Sequence, residues 1–220
     1  MGIAERRERE REEVRRKILD AAQELFATEG YERVTMRRIA QAIEYSPTTI
    51  YLHFKDKDEL VQRLCQENFV KLIRVLSAQG TPADPADAIR QMGLGYARFG
   101  LKYPNHYRFM FLTPFAHGHQ PSPAGQQAFE LLRNVVAKAI ESGRFRRAPV
   151  DTVAQVLWAN LHGAVSLLIT YGADKFPGCP AAPDLVEQVI EIGLRGLAAD
   201  APRGTWPRGV APTPKKTKGR

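Results

Sequence analysis

The segment 45–51, YSPTTIY, contains the residues of this chain whose types and spacing are best suited to contact another molecule. Three short hydroxyl side chains flank a proline, and a tyrosine follows one helical turn later: Ser46, Pro47, Thr48, Thr49 and Tyr51. Hydroxyl groups can bond phosphate oxygens and base edges, whereas proline and threonine methyl groups offer apolar contact to thymine methyl groups. Each residue alone has a plainer interpretation, Ser46 as a helix cap and Tyr51 as a core aromatic. Their combination predicts recognition chemistry.

Two short helices would position these side chains. Thr35 can cap a helix over 36–43, MRRIAQAI, and Ser46 can cap a second helix that begins at Pro47. Ile50 would face the interior of the fold, because it lies on the other face of that second helix. Helices of about eight residues are marginal alone, so packing against a longer helix must stabilise them.

Longer helices are predicted on both sides of the short pair. Apolar residues at a 3.6-residue period predict a helix over 11–29, which Gly30 would end. Asp56 and Glu59 form a capping-box-like pair for a helix that runs to about Ala78. Two short helices supported by a longer one are typical of a helix-turn-helix, whose second short helix enters the DNA major groove.

The rest of the chain also predicts helices. Caps and breakers indicate helices over about 84–102, from Pro104, and over 122–142, 150–171 and 184–198. No strand-like alternation competes with these segments. We therefore predict an all-α protein of about nine helices, with a three-helix DNA-binding unit followed by a larger helical bundle.

Charge and composition set limits on the function. The net charge is +8, but residues 1–63 hold 13 basic and 13 acidic side chains, and residues 203–220 hold six basic and no acidic ones. The high pI is thus mostly a property of the tail and is weak support for DNA binding. The N-terminus is too charged for a signal peptide, and no apolar run reaches about 18 residues, so we expect a cytoplasmic protein without a membrane partner.

Metal and redox chemistry are not expected. Cys65 and Cys179 are far apart and lack ligand-like spacing, which suits reduced thiols. His117 and His119 lie in a Pro- and Gly-rich loop without a matching cysteine or carboxylate pattern. We predict no metal site and no cofactor.

The segment 34–60, VTMRRIAQAIEYSPTTIYLHFKDKDEL, closely resembles the DNA-binding domain of TetR/AcrR-type transcriptional regulators. The shared pattern is carried by Thr35, Ile39, Ala40, Tyr51, Phe54, Lys57 and Leu60. Glu44 departs from this pattern, because the family commonly has glycine at that turn. A non-glycine residue at positive φ costs about 1 kcal/mol, so the turn could differ slightly.

The resemblance implies roles for individual residues. Positions that typically face bases are held by Arg37, Pro47, Thr48 and Tyr51. Positions that typically face phosphates are held by Thr35, Arg38, Ser46, Thr49, His53 and Lys57. The arginines of the N-terminal arm, residues 1–10, and of the helix after it could reach the DNA backbone or minor groove. A solvated helix extension with i,i+4 Glu–Arg pairs is an equally open interpretation.

The second half resembles the C-terminal domain of one family subgroup. The segment 156–169 carries a Trp-His-Gly (WHG) signature at Trp158, His162 and Gly163, and the segment YPNHYRFMF also resembles that subgroup. Family members pair their DNA-binding domain with a domain that dimerises and binds a ligand. The implied domains are the arm at 1–10, the helix-turn-helix at 11–58, the ligand-binding and dimerisation domain at 59–199, and a disordered basic tail at 200–220.

A ligand pocket and a dimer interface are expected in that larger domain. Candidate pocket residues are Phe99, Tyr103, Tyr107, Met110, Phe111, Phe115, Trp158 and His162. His162 is expected to be a hydrogen-bonded structural histidine rather than a ligand contact. The effector would be apolar or aromatic, since no buried charge cluster suggests an anion site. Helices 150–171 and 184–198 would form a four-helix dimer interface that includes Leu185, Val189 and Ile192.

The resemblance therefore implies a homodimeric repressor that binds a near-palindromic operator and is released by a small-molecule effector. A shift of the helix that begins after Asp56 would carry the signal. Two alternatives stay open: a DNA-binding protein of similar fold without an inducer, and an enzyme that uses the aromatic second domain. The enzyme is disfavoured, because no nucleophile, base and orienting group occur together and no Gly-rich phosphate loop is present.

Overall fold

The computed structural model describes residues 2–78, 82–112, 122–172 and 181–200. These residues form nine α-helices and one π-helical turn, and their only β-type pairing is an isolated bridge between Phe145 and Ala198. The prediction of an all-α protein is confirmed. The helices are α1 Ile3–Glu29, α2 Met36–Ala42, α3 Pro47–Tyr51, α4 Lys57–Ser77, α5 Pro85–Lys102, α6 Pro104–Tyr107, α7 Pro123–Glu141, α8 Val150–Tyr171 and α9 Ala182–Leu197.

Helix α1 begins eight residues before the predicted start. The acidic and basic side chains of its first turns pair along the helix, and Arg6 Nε lies 2.8 Å from Glu10 Oε1. Such i,i+4 pairs stabilise an exposed helix by roughly 0.2–0.5 kcal/mol each. Residues 3–10 are therefore a solvated extension of α1, which is one of the two interpretations that the sequence left open for the arm.

Helices α1 to α3 and the first half of α4 enclose one apolar cluster, the N-terminal core. Its members include Ile18, Phe26, Ile39, Ile50, Phe54, Leu60 and Leu64. Most are the apolar positions that the 3.6-residue period placed inward. Because α2 and α3 have only seven and five residues, this shared burial rather than their own helix formation holds them in place.

The second half of α4 packs with α5, α7, α8 and α9 around a larger apolar cluster, the C-terminal core. Leu72 and Leu76 of α4 belong to this core, whereas Leu60 and Leu64 belong to the N-terminal core. Helix α4 is thus a single rod of 21 residues shared by both cores. The domain boundary at 58/59 stays a prediction, since packing is continuous along α4.

A π-helical turn, Arg108–Leu112, follows α6 and also contacts both cores. Phe109 is buried in the N-terminal core, whereas Tyr107 and Met110 are buried in the C-terminal core. A π-helical turn is wider than an α-helical one and is frequent at functional sites.

Helix α8 is long and strongly apolar. An 18-residue stretch within its 22 residues has a mean hydropathy of 1.4, so by length and composition alone the helix could cross a membrane. In the fold α8 buries Val153, Leu161 and Val165 in the C-terminal core and packs on α5, α7 and α9. A third of the apolar stretch is buried inside the protein, so α8 also has an exposed apolar side.

Several predicted features fall in segments 113–121, 173–180 and 201–220, outside the described residues. They are Phe115, His117, His119, Cys179 and the basic tail.

Candidate nucleic-acid interface and C-terminal cavity

The turn between α2 and α3 keeps the geometry of a glycine turn, although Glu44 occupies the position where the family commonly has glycine. Glu44 has φ of 59°, the left-handed conformation that glycine adopts without strain. The backbone N–H of Glu44 donates to the Gln41 carbonyl at 3.2 Å, and that of Tyr45 donates to the Ala40 carbonyl at 3.0 Å. These two bonds close the end of α2 in the way typical of a glycine-ended helix. The turn is thus retained, at a cost of about 1 kcal/mol.

The start of α3 is fixed by its predicted cap. Ser46 Oγ accepts a hydrogen bond from the Thr49 backbone N–H at 3.2 Å and lies 2.9 Å from Thr49 Oγ1. Pro47 occupies the first helical position. On the inner face, Ile50 and Phe54 are buried in the N-terminal core. Because both anchors are buried, the opposite face of α3 must point to solvent.

That outer face presents the residues predicted to read bases. Pro47, Thr48 and Tyr51 are exposed, with Tyr51 55% accessible. Arg37 on α2 is also exposed. Leu52, which the sequence interpretation did not single out, is 71% exposed beside Tyr51.

The residues predicted to contact phosphates differ in their exposure and in their hydrogen-bond partners. Thr35 is exposed, and its Oγ1 caps α2 by accepting from the Arg38 backbone N–H at 3.1 Å. His53 is half-buried, and its pKa lies below the ordinary histidine value because of burial and the nearby cations Arg11 and Arg15. Neutral His53 can still donate one hydrogen bond.

Arg38 and Lys57, two of the predicted phosphate contacts, both have internal partners in the structure. The Arg38 guanidinium donates to the Glu29 carboxylate, with Nη2 2.7 Å and Nε 3.1 Å from Oε1. Lys57 Nζ donates to the Tyr31 carbonyl and lies 3.8 Å from the centre of the Tyr31 ring. Burial lowers the pKa of Lys57. In this conformation both side chains tie α1 and its following turn to α2 and α4.

A cavity of about 1300 Å³ lies among α4, α5, the π-helical turn, α7, α8 and α9, and we call it the C-terminal cavity. Three of the predicted pocket residues line it, namely Met110, Phe111 and Trp158. Phe111 contacts the Phe69 ring edge-on at 5.4 Å between centroids. The sequence interpretation missed the liners Phe69, Leu72, Met92, Tyr96, Phe129 and Leu161. Their only signal is apolar helical periodicity, which plain core residues share.

Four predicted pocket residues do not line the C-terminal cavity. Phe99 is buried in the C-terminal core, and Tyr103 lies at the end of α5, 38% exposed. Tyr107 and His162 belong instead to a buried hydrogen-bonded group with Tyr96. Tyr107 Oη lies 2.6 Å from His162 Nδ1 and 3.0 Å from Tyr96 Oη.

His162 Nδ1 lies within hydrogen-bond distance of both phenols, which is the arrangement expected of a structural histidine. Burial lowers the pKa of His162, which favours the neutral ring. Burial also raises the pKa of Tyr96 and of Tyr107, so both phenols stay protonated and can donate. The group joins α5, α6 and α8 behind the cavity wall.

The polar groups of the C-terminal cavity are mostly neutral. Gln62, Gln66, Gln126 and Gln155 supply amides, and Gln66 Oε1 accepts from the Ala124 backbone N–H at 3.1 Å. The charged liners come from α1 and the first two turns of α4: Arg15, Asp58, Glu59 and Arg63. The rest of the wall is therefore suited to an uncharged apolar or aromatic molecule.

The outer face of α8 and α9 carries several exposed apolar side chains. Val156, Leu167 and Tyr171 of α8 are 42%, 46% and 56% exposed, and Ile192 of α9 is 72% exposed. A Cβ atom added at Gly163 or Gly196 would meet nothing within 4 Å.

The three residues predicted for a dimer interface differ in how exposed they are. Leu185 and Val189 are partly buried against the C-terminal core of their own chain, so only Ile192 is fully on the outer face.

Comparisons with known proteins agree with this architecture. Residues 18–64 match the family model described as bacterial regulatory proteins, tetR family, and residues 89–192 match a tetracyclin repressor-like C-terminal domain. The chain is 36% identical over 186 residues to the HTH-type transcriptional repressor AcnR of Corynebacterium efficiens, covering 80% of this chain and 92% of AcnR.

Two further similarities are shorter in sequence or confined to the fold. The chain is 44% identical over 66 residues to the HTH-type transcriptional repressor Rv1474c of Mycobacterium tuberculosis, covering 30% of this chain and 35% of that repressor. A protein of unknown function from Rhodococcus sp. RHA1 has the same fold, with a TM-score of 0.71, 22% identity and coverage of 84% and 95%. The chain therefore belongs to the TetR family of bacterial DNA-binding transcriptional regulators.

Proposed function

We propose that this regulator is a homodimeric repressor that reads a near-palindromic operator through α3 and leaves it when an apolar or aromatic effector fills the C-terminal cavity. One observation carries the proposal: α3 is anchored by Ile50 and Phe54 and turns Thr48 and Tyr51 to solvent. A helix so held can enter a major groove with its outer side chains toward the base edges.

The two kinds of DNA contact divide between side chains of the helix-turn-helix. We assign base contacts to the exposed residues Arg37, Pro47, Thr48 and Tyr51. Phosphate contacts fall to Thr35, Ser46, Thr49 and His53, with Arg38 and Lys57 joining only if they leave their internal partners. Lys55, which is exposed just after α3, supplies a cation beside them. Such contacts would fix the register of α3, whereas the base contacts would select the sequence.

The outer face of α8 and α9 supports a homodimer. Exposed apolar side chains around glycines with open space allow a second helix pair to approach closely. A two-fold axis through this face would bring α8 and α9 of both protomers into one four-helix interface. Gly163 lies on this face, whereas Trp158 and His162 of the same motif lie inside. The sequence motif itself supports our assignment of the C-terminal domain to the Trp-His-Gly (WHG) subgroup.

The C-terminal cavity supports an effector of apolar or aromatic character. Its volume exceeds the roughly 300–1000 Å³ of typical small-molecule sites. Aromatic walls from Phe69, Phe111 and Trp158 suit a flat or branched hydrophobic molecule.

Two elements would carry the effector signal to α3. Helix α4 lines the cavity and also holds the N-terminal core, and the π-helical turn does both as well. An effector that shifts either element would change the spacing of the two α3 helices in the dimer. It releases DNA only by binding one arrangement more tightly than the other, and DNA must weaken effector binding by the same factor.

Selection of duplexes from a random-sequence library by the full chain, followed by footprinting, tests this function. We expect an enriched near-palindromic sequence with two half-sites about 34–36 Å apart. Native mass spectrometry of the purified protein would identify a compound retained from expression, and adding that compound should release the duplex. Salt-dependent binding without any enriched sequence would contradict the proposal and favour an architectural DNA-binding protein.

A further inference from the structure

We propose that Leu52 determines operator specificity by contacting thymine methyl groups in the major groove. This inference rests on the proposed entry of α3 into that groove. Leu52 is the C-cap residue directly after α3, and its φ of −71° and ψ of −21° continue the helical path. Its side chain is 71% exposed, more than that of Tyr51 at 55%.

Helical geometry places Leu52 on the side of α3 that points away from the N-terminal core. Successive residues of an α-helix are separated by about 100° around its axis. Thr48 and Leu52 lie two residues before and after Ile50, so each points about 160° away from that fully buried side chain. Tyr51 lies only about 100° from Ile50, on the flank. Thr48 and Leu52 therefore reach farthest from the N-terminal core.

The chemistry of the leucine side chain limits what it can recognise there. Leucine forms no side-chain hydrogen bonds, and the thymine C5-methyl is the apolar group that base edges present in the major groove. A Leu52 side chain over that methyl would favour thymine over cytosine, which carries only a hydrogen atom at C5. Thr48, one turn earlier on the same side of α3, would supply a hydrogen bond to a base edge.

The position also lacks a folding reason for leucine. At 71% exposure the side chain contributes little to the N-terminal core, and replacing it should leave stability nearly unchanged. A change in DNA binding by a Leu52 variant can therefore be attributed to the lost contact rather than to unfolding.

The experiment uses the full chain and the duplex that wild-type protein selects from a random library. Each thymine of that duplex is replaced in turn by deoxyuridine, which removes only the methyl group. Binding is measured for wild type, for Leu52→Ala and for the control Leu101→Ala, whose leucine is 38% exposed on α5. We expect single replacements at two symmetry-related positions each to weaken DNA binding by wild type and by the control about three- to fivefold. This factor corresponds to one buried methyl group. Leu52→Ala should not respond to those replacements.

Two results would overturn the inference. One is a selected duplex in which no deoxyuridine replacement weakens wild-type binding, which includes a duplex without thymine in its half-sites. The other is an equal weakening of wild type and Leu52→Ala at every position. Failure of the proposed function has a different signature, because then no duplex would be enriched, or Thr48→Ala and Tyr51→Ala would bind the enriched duplex as wild type does.

Discussion

Phe26 and Phe109 stack with their ring centroids 5.4 Å apart and their planes 11° from parallel. Phe26 belongs to α1, and Phe109 to the π-helical turn of the second half. Two residues later, Phe111 lines the C-terminal cavity and contacts Phe69 of α4. One short turn thus joins the cavity wall to the core that positions α3.

Replacing Phe109 by alanine should unfold the protein more easily. The side chain is 3% exposed, and Phe→Ala substitutions at such sites cost about 3–5 kcal/mol. Urea denaturation monitored by circular dichroism measures the change. Leu112→Ala, at the end of the same turn but 37% exposed, is the control and should cost less than about 1 kcal/mol. Equal losses in the two variants would show that the Phe26–Phe109 stack is not a principal contact.

Glu44→Gly should stabilise the protein by up to about 0.5 kcal/mol. The substitution removes the steric cost of a side chain at φ of 59°, and the greater freedom of glycine in the unfolded chain cancels only part of that gain. The midpoint of urea denaturation reports the change. Glu44→Ala keeps a Cβ atom and removes the charge, so it should show no such gain. A stabilised Glu44→Ala would instead attribute the effect to charge.

Gly163→Arg should produce a folded monomer. A Cβ atom at Gly163 meets nothing within 4 Å in its own chain, so an arginine there fits the protomer but blocks a partner helix. Light scattering coupled to size-exclusion chromatography measures the mass. Gln127→Arg on the exposed face of α7 adds the same charge elsewhere and should remain a dimer. A dimeric Gly163→Arg protein would move the interface away from α8.

His106 should make stability fall as the pH drops below about 6.5. Burial, with help from nearby Lys71, lowers the pKa of this histidine to about 4. Between pH 6.5 and 4 the unfolded chain binds a proton that the native state does not, so acidification favours unfolding. Because His106→Gln removes the titrating group, this variant should lose roughly 1–2 kcal/mol less stability over this window than wild type does. The figure is smaller than the full pKa difference implies, since solvent screens the partly exposed ring. Parallel stability curves from thermal denaturation at each pH would contradict this assignment.

Local signals made the helices predictable. Thr35, Ser46 and Asp56 cap α2, α3 and α4 as their types suggested, because a cap depends only on neighbours within four residues. The start of α1 was missed because alternating Glu and Arg can form either a solvated helix or an extended arm.

Tertiary contacts could not be predicted in the same way. The partner of Arg38 is nine residues away, and that of Lys57 is 26 residues away, so no local pattern signals either pair. Phe99 and Phe111 are the same residue type and both lie in apolar helical patterns, yet Phe99 is buried in the core and Phe111 lines a cavity. Apolar periodicity predicts that a residue faces inward, but the distance between the packed helices decides whether it meets a neighbour or a void.

The most direct test of the account is a fluorescence-anisotropy titration of the selected operator duplex at one fixed salt concentration. It compares wild type with Thr48→Ala, Tyr51→Ala and the control Thr28→Ala, whose exposed threonine lies on α1. Loss of a base contact is worth about 1–3 kcal/mol, so each α3 variant should bind the operator roughly 5- to 150-fold more weakly. Binding to a scrambled duplex should stay the same, and so should both affinities of Thr28→Ala. Wild-type operator affinity in both Thr48→Ala and Tyr51→Ala would contradict the claim that α3 reads the operator.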